Sequence, residues 1–181
     1  MEYPYSLDDY ISEVKQFMKE KGLKKPMVVA HSFGGRIALK MMANTPEIFD
    51  KVVLTGCAGL KPKKTIKKVA KKILFNTLKP FVKRERLKRF YSKDYVNLSP
   101  IMKESFKKII AENLDYTLEK IQNQTLIIFG EQDKETPIYM AKKLNRNIKN
   151  SKLIILKDAG HFCFIDKPKR FNLEVREFFL S

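Results

Sequence analysis

The stretch VVAHSFGGRIALKMMA, residues 28–43, changes its hydrophobic period in the middle. Val28, Val29 and Ala30 form a continuous apolar run that suits a strand buried on both faces. After Ser32 the apolar positions Ile37, Ala38, Met41 and Met42 recur at helical spacing. A serine thus stands at a strand-to-helix junction, with Ala30 two residues before it and Gly34 and Gly35 just after it. Such a turn lifts a hydroxyl clear of a sheet, and small flanking residues avoid the clash that a sharp turn creates. Helix capping alone would not require small residues on both sides of the serine.

Outward from that stretch, strands and helices alternate. Leu7, Tyr10, Ile11, Val14, Phe17 and Met18 keep helical phase up to Gly22. Apolar strands follow at 51–54, 125–129 and 152–156, the first two ending at Gly56 and Gly130. Helices are expected over 137–148 and from Pro168 to the end. Continuously apolar strands that alternate with helices predict an α/β fold with a mostly parallel sheet of about four strands. Between the second and third strands lies an insertion, about 60–120, with helical periodicity and no convincing strand.

The 181 residues suffice for one core, and 44% of them are hydrophobic, which excludes a disordered chain. The net charge of +17 is concentrated. Residues 61–110 hold 17 Lys/Arg against Glu85, Asp94 and Glu104, a net of +14. Ile66, Val69, Ala70, Ile73, Leu74 and Leu78 form a stripe opposite Lys63, Lys64, Lys67, Lys68, Lys71 and Lys72. Pro80 ends that helix, and a second one is expected over 81–90. The bland reading is a cap with solvated lysines, and the sharper one is attraction to an anionic membrane surface or to acidic substrates. Nucleic acid is disfavoured, because no base-reading motif accompanies the charge. The two cysteines, Cys57 and Cys163, form no metal pattern, so neither a metal nor a cofactor is expected and a reduced, cytoplasmic protein is the simplest reading. The start, MEYPYSLDDY, has no secretory apolar segment, and no apolar run reaches membrane-spanning length. The sites Asn97-Leu98-Ser99 and Asn123-Gln124-Thr125 match the glycosylation pattern by chance in such a chain.

Functional groups in open α/β sheets gather where strands end at their C-terminal edge. Those ends supply Ser32, Asp133 and His161, in that order. A nucleophilic serine needs a base, and the chain has two histidines. His31 adjoins Ser32 in the chain and points in a divergent direction. It is a poor base, and a structural role near the serine suits it better. His161 follows the fourth strand, and Gly160 gives its loop freedom to aim the ring. The base in turn needs a carboxylate that fixes its tautomer. Asp133 is the leading acid; Glu131 and Glu135 compete in the same loop, and Asp158 competes from the next.

With AHSFGG at the serine, GEQDKETP at the acid and DAGHFCFIDKP at the base, the chain resembles an α/β-hydrolase-fold serine hydrolase, esterase- or lipase-like, with a helical cap. The likeness covers 5–59 and 121–181, which divides the chain into a core at 1–59 and 121–181 and a cap at 60–120. It implies a Ser32–His161–Asp133 triad, an acyl-enzyme on Ser32, an oxyanion donor at the Phe33 N–H, and elbow glycines at Gly34 and Gly35. It further implies a small-molecule ester or related acyl substrate gripped under the cap. The family's first four strands precede its nucleophile, whereas here the nucleophile follows the first readable strand. Met1 is therefore expected to be internal to a longer protein, or the open edge to pair in a homo-oligomer. The alternative function is a non-catalytic remnant, or one half of a two-chain hydrolase.

Overall fold

The structure, a computed structural model, describes residues 3–63 and 97–181. The lysine-flanked stripe at 66–78 and the helix expected over 81–90 lie outside the described residues. The chain divides into two compact units, one of Leu7–Lys61 with Glu112–Ser181 and one of Met1–Ser6 with Pro62–Ala111.

The larger unit is built on a four-stranded, wholly parallel sheet in the order β1-β2-β3-β4. Its strands are β1 (Val28–His31), β2 (Lys51–Thr55), β3 (Gln124–Gly130) and β4 (Ser151–Leu156). The helices are α1 (Leu7–Glu20), α2 (Phe33–Asn44), α4 (Ile138–Asn147), α5 (Cys163–Asp166) and α6 (Pro168–Leu180). In the smaller unit, α3 (Pro100–Ala111) opens with Ser99 Oγ accepting the Met102 N–H at 3.2 Å. There the Tyr5 N–H donates to Ser105 Oγ at 2.8 Å, and Lys108 Nζ donates to the Pro4 carbonyl at 3.0 Å.

Strand periodicity divides the core into two layers. On one face Ala30, Val52, Leu54, Ile127 and Phe129 pack with α1, α2 and α4. On the other, Val53, Leu126 and Ile128 pack with Phe171, Val175, Phe178 and Phe179 of α6. Glu112–Lys120 joins the larger unit, with Leu114 and Leu118 fully buried. Buried charge fixes α2 against this segment. Arg36 Nη1 donates to the Glu112 carbonyl at 2.8 Å, and Lys40 Nζ pairs with Asp8 Oδ1 at 2.8 Å and Glu112 Oε1 at 2.7 Å. Burial pulls the Lys40 ammonium down, and the two carboxylates more than offset it, so its pKa is raised. Asn123 is also buried, its amide donating at 2.8 Å to the carbonyls of Pro46 and Phe49, which ties it into the core.

Among the described residues β1 pairs on one side only. The Pro26 carbonyl accepts from the Asp50 N–H, and the Ser32 N–H donates to the Thr55 carbonyl, so even-numbered residues face β2. By alternation the main-chain groups of Met27, Val29 and His31 face away from it. Met27 and Val29 are exposed, and a cavity of about 430 Å³ follows this edge between Phe17 of α1 and Ile37 of α2. An unpaired apolar edge templates association. Sedimentation of the chain is therefore expected to show mass rising with concentration. Val29→Lys should return it to monomer, and a constant monomer mass in the parent chain would refute the expectation.

Candidate active site

Ser32 sits in a conformation that few side-chain-bearing residues adopt, with φ 48° and ψ −109°. Holding a residue there costs on the order of 1–3 kcal/mol, so the surroundings must impose it. Three backbone hydrogen bonds of 3.1 Å do so. The Ser32 N–H donates to the Thr55 carbonyl, and the Ser32 carbonyl accepts from Gly35 and Ala58. Gly35 is required by space, since a Cβ there would lie 2.5 Å from Cys57 Sγ. Gly34 differs from the expectation that a small residue after the serine is needed to avoid a clash. A Cβ on it would meet nothing within 4 Å among the described residues, because it faces the open cavity along β1.

His161 lies in the loop between β4 and α5, its Nε2 3.0 Å from Ser32 Oγ and its Nδ1 2.9 Å from Asp133 Oδ2. The structure thus brings together the three residues expected from the strand ends. With the proton on Nδ1 donated to Asp133, Nε2 keeps its lone pair for the serine hydroxyl. The other acids stand elsewhere. Asp158 occupies a left-handed turn at φ 53°, its N–H 3.5 Å from Glu131 Oε2, and Glu135 Oε2 lies 3.5 Å from Nε2, on the serine side of the ring.

Asp133 is itself oriented by hydrogen bonds. Its Oδ1 accepts the N–H groups of Glu135 (2.9 Å) and Thr136 (2.8 Å), and its Oδ2 accepts Thr136 Oγ1–H at 2.7 Å. Burial pushes the carboxyl up, but the donors from His161 and Thr136 outweigh it, so the pKa lies below the ordinary carboxylate value. The sign follows from linkage. A depressed folded pKa contributes stability that is fully present above the unfolded value, near 3.9, and is lost as pH falls through the folded one. The difference in melting temperature between the parent chain and Asp133→Asn is therefore expected to shrink as pH falls from 6 to 3. A difference that stays constant over that range would refute the assignment.

Several contributors escape sequence reading. Thr136, three residues after the acid and before Pro137, carries the only sequence cue, an Asp-x-x-Thr spacing that favours side-chain capping. Gly56, at φ 50°, leaves room for the base; a Cβ there would lie 3.0 Å from both Cε1 and Nδ1 of His161. Gly160 does not adopt a glycine-only conformation. What fixes its loop is Asp166 Oδ2, which accepts the Gly160 N–H at 2.7 Å. Gly130 is the tightest point, since a Cβ would fall 2.1 Å from the Gly160 carbonyl oxygen.

His31 is no base for Ser32. Its Nε2 donates to the His161 carbonyl at 3.1 Å, and its ring packs against His161, Phe162 and Phe164. Burial lowers its pKa, partly opposed by that hydrogen bond. Cys57 is no rival nucleophile, because burial pushes its thiol up to about 12 despite the nearby Arg36 guanidinium. Among the described residues no cluster of His, Cys, Asp and Glu could hold a metal ion, and no helix is long and apolar enough to cross a membrane.

Comparison with known proteins agrees with this architecture. The uncharacterized hydrolase YugF of Bacillus subtilis is 24% identical over 96% of this chain and 72% of its own length. The 2-hydroxy-6-oxo-2,4-heptadienoate hydrolase of Pseudomonas putida is 20% identical over 96% of this chain and 70% of its own. The crystal structure of MGS-MChE2, an alpha/beta hydrolase from a metagenome of sediments of the Mar Chica lagoon, superposes with a TM-score of 0.70 at 25% identity. That match covers 96% of this chain and 69% of the neighbour. The family profile described as alpha/beta hydrolase fold matches residues 1–79 and 63–168, and the chain belongs to that family.

Proposed function

We propose that the chain is a serine hydrolase that cleaves a carboxylic ester or related acyl bond through Ser32, His161 and Asp133. The observation that carries this reading is the hydrogen-bonded chain Ser32 Oγ–His161 Nε2 (3.0 Å) and His161 Nδ1–Asp133 Oδ2 (2.9 Å), with its serine on a strained turn. Ser32 Oγ attacks the acyl carbonyl carbon, and its proton passes to Nε2. Asp133 stays ionised and stabilises the imidazolium. The oxyanion meets the Phe33 N–H, which as the first residue of α2 has no intrahelical acceptor and stands at the positive end of the helix dipole. Collapse of the tetrahedral intermediate expels the alcohol, which takes the Nε2 proton. Water, deprotonated by the same nitrogen, then releases the acid.

Two measurements test it. A fluorophosphonate probe should label Ser32, located by peptide mapping, and 4-nitrophenyl butyrate should be turned over with the same dependence on Ser32 and His161. A folded protein that releases no nitrophenolate, whether or not it takes the probe, would overturn the reading.

A further inference from the structure

We infer that Glu135 selects the charge of the leaving group, favouring cationic leaving groups over anionic ones. This inference rests on the hydrolytic reading of Ser32 and His161 above. Glu135 follows Asp133 by two residues, and its N–H is held by Asp133 Oδ1 at 2.9 Å, so its position is tied to the acid loop. Its carboxylate reaches past that loop to the other side of the ring, where Oε2 lies 3.5 Å from His161 Nε2. The same nitrogen is 3.0 Å from Ser32 Oγ. Glu135 therefore cannot replace Asp133, which occupies Nδ1.

The chemistry at Nε2 makes this position selective. In the resting state Nε2 offers a lone pair to the serine, and a carboxylate at 3.5 Å gains no hydrogen bond from it. Once Nε2 carries the serine proton, the carboxylate faces an N–H of a cation. Its attraction is thus larger after proton transfer than before, the condition for an effect on the transition state. The leaving atom must accept that proton, so any leaving group passes beside Glu135. A cationic substituent there is attracted and an anionic one repelled. Asp133 also contributes negative charge, but from the far side of the ring. The Glu135 side chain is 69% exposed, so its influence is screened by salt. At separations near 5 Å in a wet environment, Coulomb energies correspond to about a 3- to 10-fold preference.

The test measures phosphorylation of Ser32 by two probes that share a diethylphosphoryl group. One leaves as thiocholine, which is cationic, and the other as its uncharged isostere, 3,3-dimethylbutanethiol. In each, the Ser32 Oγ–P bond forms as the P–S bond breaks, and the serine proton travels through Nε2 to the departing sulfur. The cationic probe is expected to react about 3- to 10-fold faster at low salt. That ratio should fall toward one in 0.5 M sodium chloride and in Glu135→Gln, and take an intermediate value in Glu135→Asp. Equal rates in the parent protein, or a ratio that survives Glu135→Gln, would overturn the inference. The ratio is read without deacylation. Labelling with the expected ratio but no ester turnover would therefore uphold the inference while failing the hydrolytic reading. Absence of labelling by both probes would overturn the inference, and the hydrolytic reading with it where ester turnover is absent as well.

Discussion

Ser32→Ala is expected to abolish fluorophosphonate labelling and to lower ester hydrolysis by about 10⁴- to 10⁶-fold, while leaving the fold in place. The hydroxyl is small and partly accessible, and the strained turn is held by main-chain bonds from Thr55, Gly35 and Ala58 that alanine keeps. His161→Ala should cost a similar factor, because Oγ then has no proton acceptor at 3.0 Å. Asp133→Asn is expected to lose about 10⁴-fold, since an amide can orient the ring in the wrong tautomer. The double variant Ser32→Ala/His161→Ala should be no worse than either single variant, as for residues that act as one unit. Labelling that survives Ser32→Ala would show that another residue is the nucleophile, and additive losses would show that Ser32 and His161 do not act as one unit.

The second large effect falls on a residue that carries no chemistry. Gly130→Ala would place a Cβ 2.1 Å from the Gly160 carbonyl oxygen and 2.4 Å from that of Ala159. Both are backbone atoms in the loop that presents His161, so relief requires moving that loop. Overpacking of this kind costs about 1–3 kcal/mol. Displacing the base by about 1 Å is expected to lower turnover on the order of 10²-fold. Gly34→Ala is the contrasting case, since no atom of the described residues crowds its site. It lies in the first turn of α2, where alanine is the better helix former by up to about 1 kcal/mol, so the melting temperature should hold or rise. Thermal melts and nitrophenyl ester turnover on the two variants give the comparison directly. Gly130→Ala with parental turnover would remove the 159–160 contact from any role in positioning the base.

The contrast between these glycines shows what a sequence can and cannot carry. Gly34 and Gly35 are adjacent and look equivalent in AHSFGG. Only the packing of α2 on the loop after β2 tells them apart, because Cys57 sits against one and open space against the other. Similarly, three carboxylates compete on paper with Asp133. Their distinction depends on which of them reaches the imidazole ring, and on which side, and spacing along the chain holds no information about that. Gly160 was expected to free the histidine loop, whereas a hydrogen bond from its N–H to Asp166 fixes it instead.

The sequence by itself determined the parallel α/β core, because the switch from a continuous to a 3.6-residue apolar period is local and repeats at each strand. It also determined the order Ser32, Asp133, His161, since each falls just past an apolar run and strand ends share one edge of a parallel sheet. The tertiary structure alone decided which acid meets Nδ1 and which meets Nε2. It also decided that Thr136 and Asp166 fix the loops of the acid and the base, and that Gly56 and Gly130 must lack side chains. The contacts of His161 with Ser32 and Asp133, and the crowding at Gly56 and Gly130, join segments remote in the chain and are set by how four strands stack in register. The bonds of Thr136 and Asp166 are local, and depend on the conformation those loops adopt.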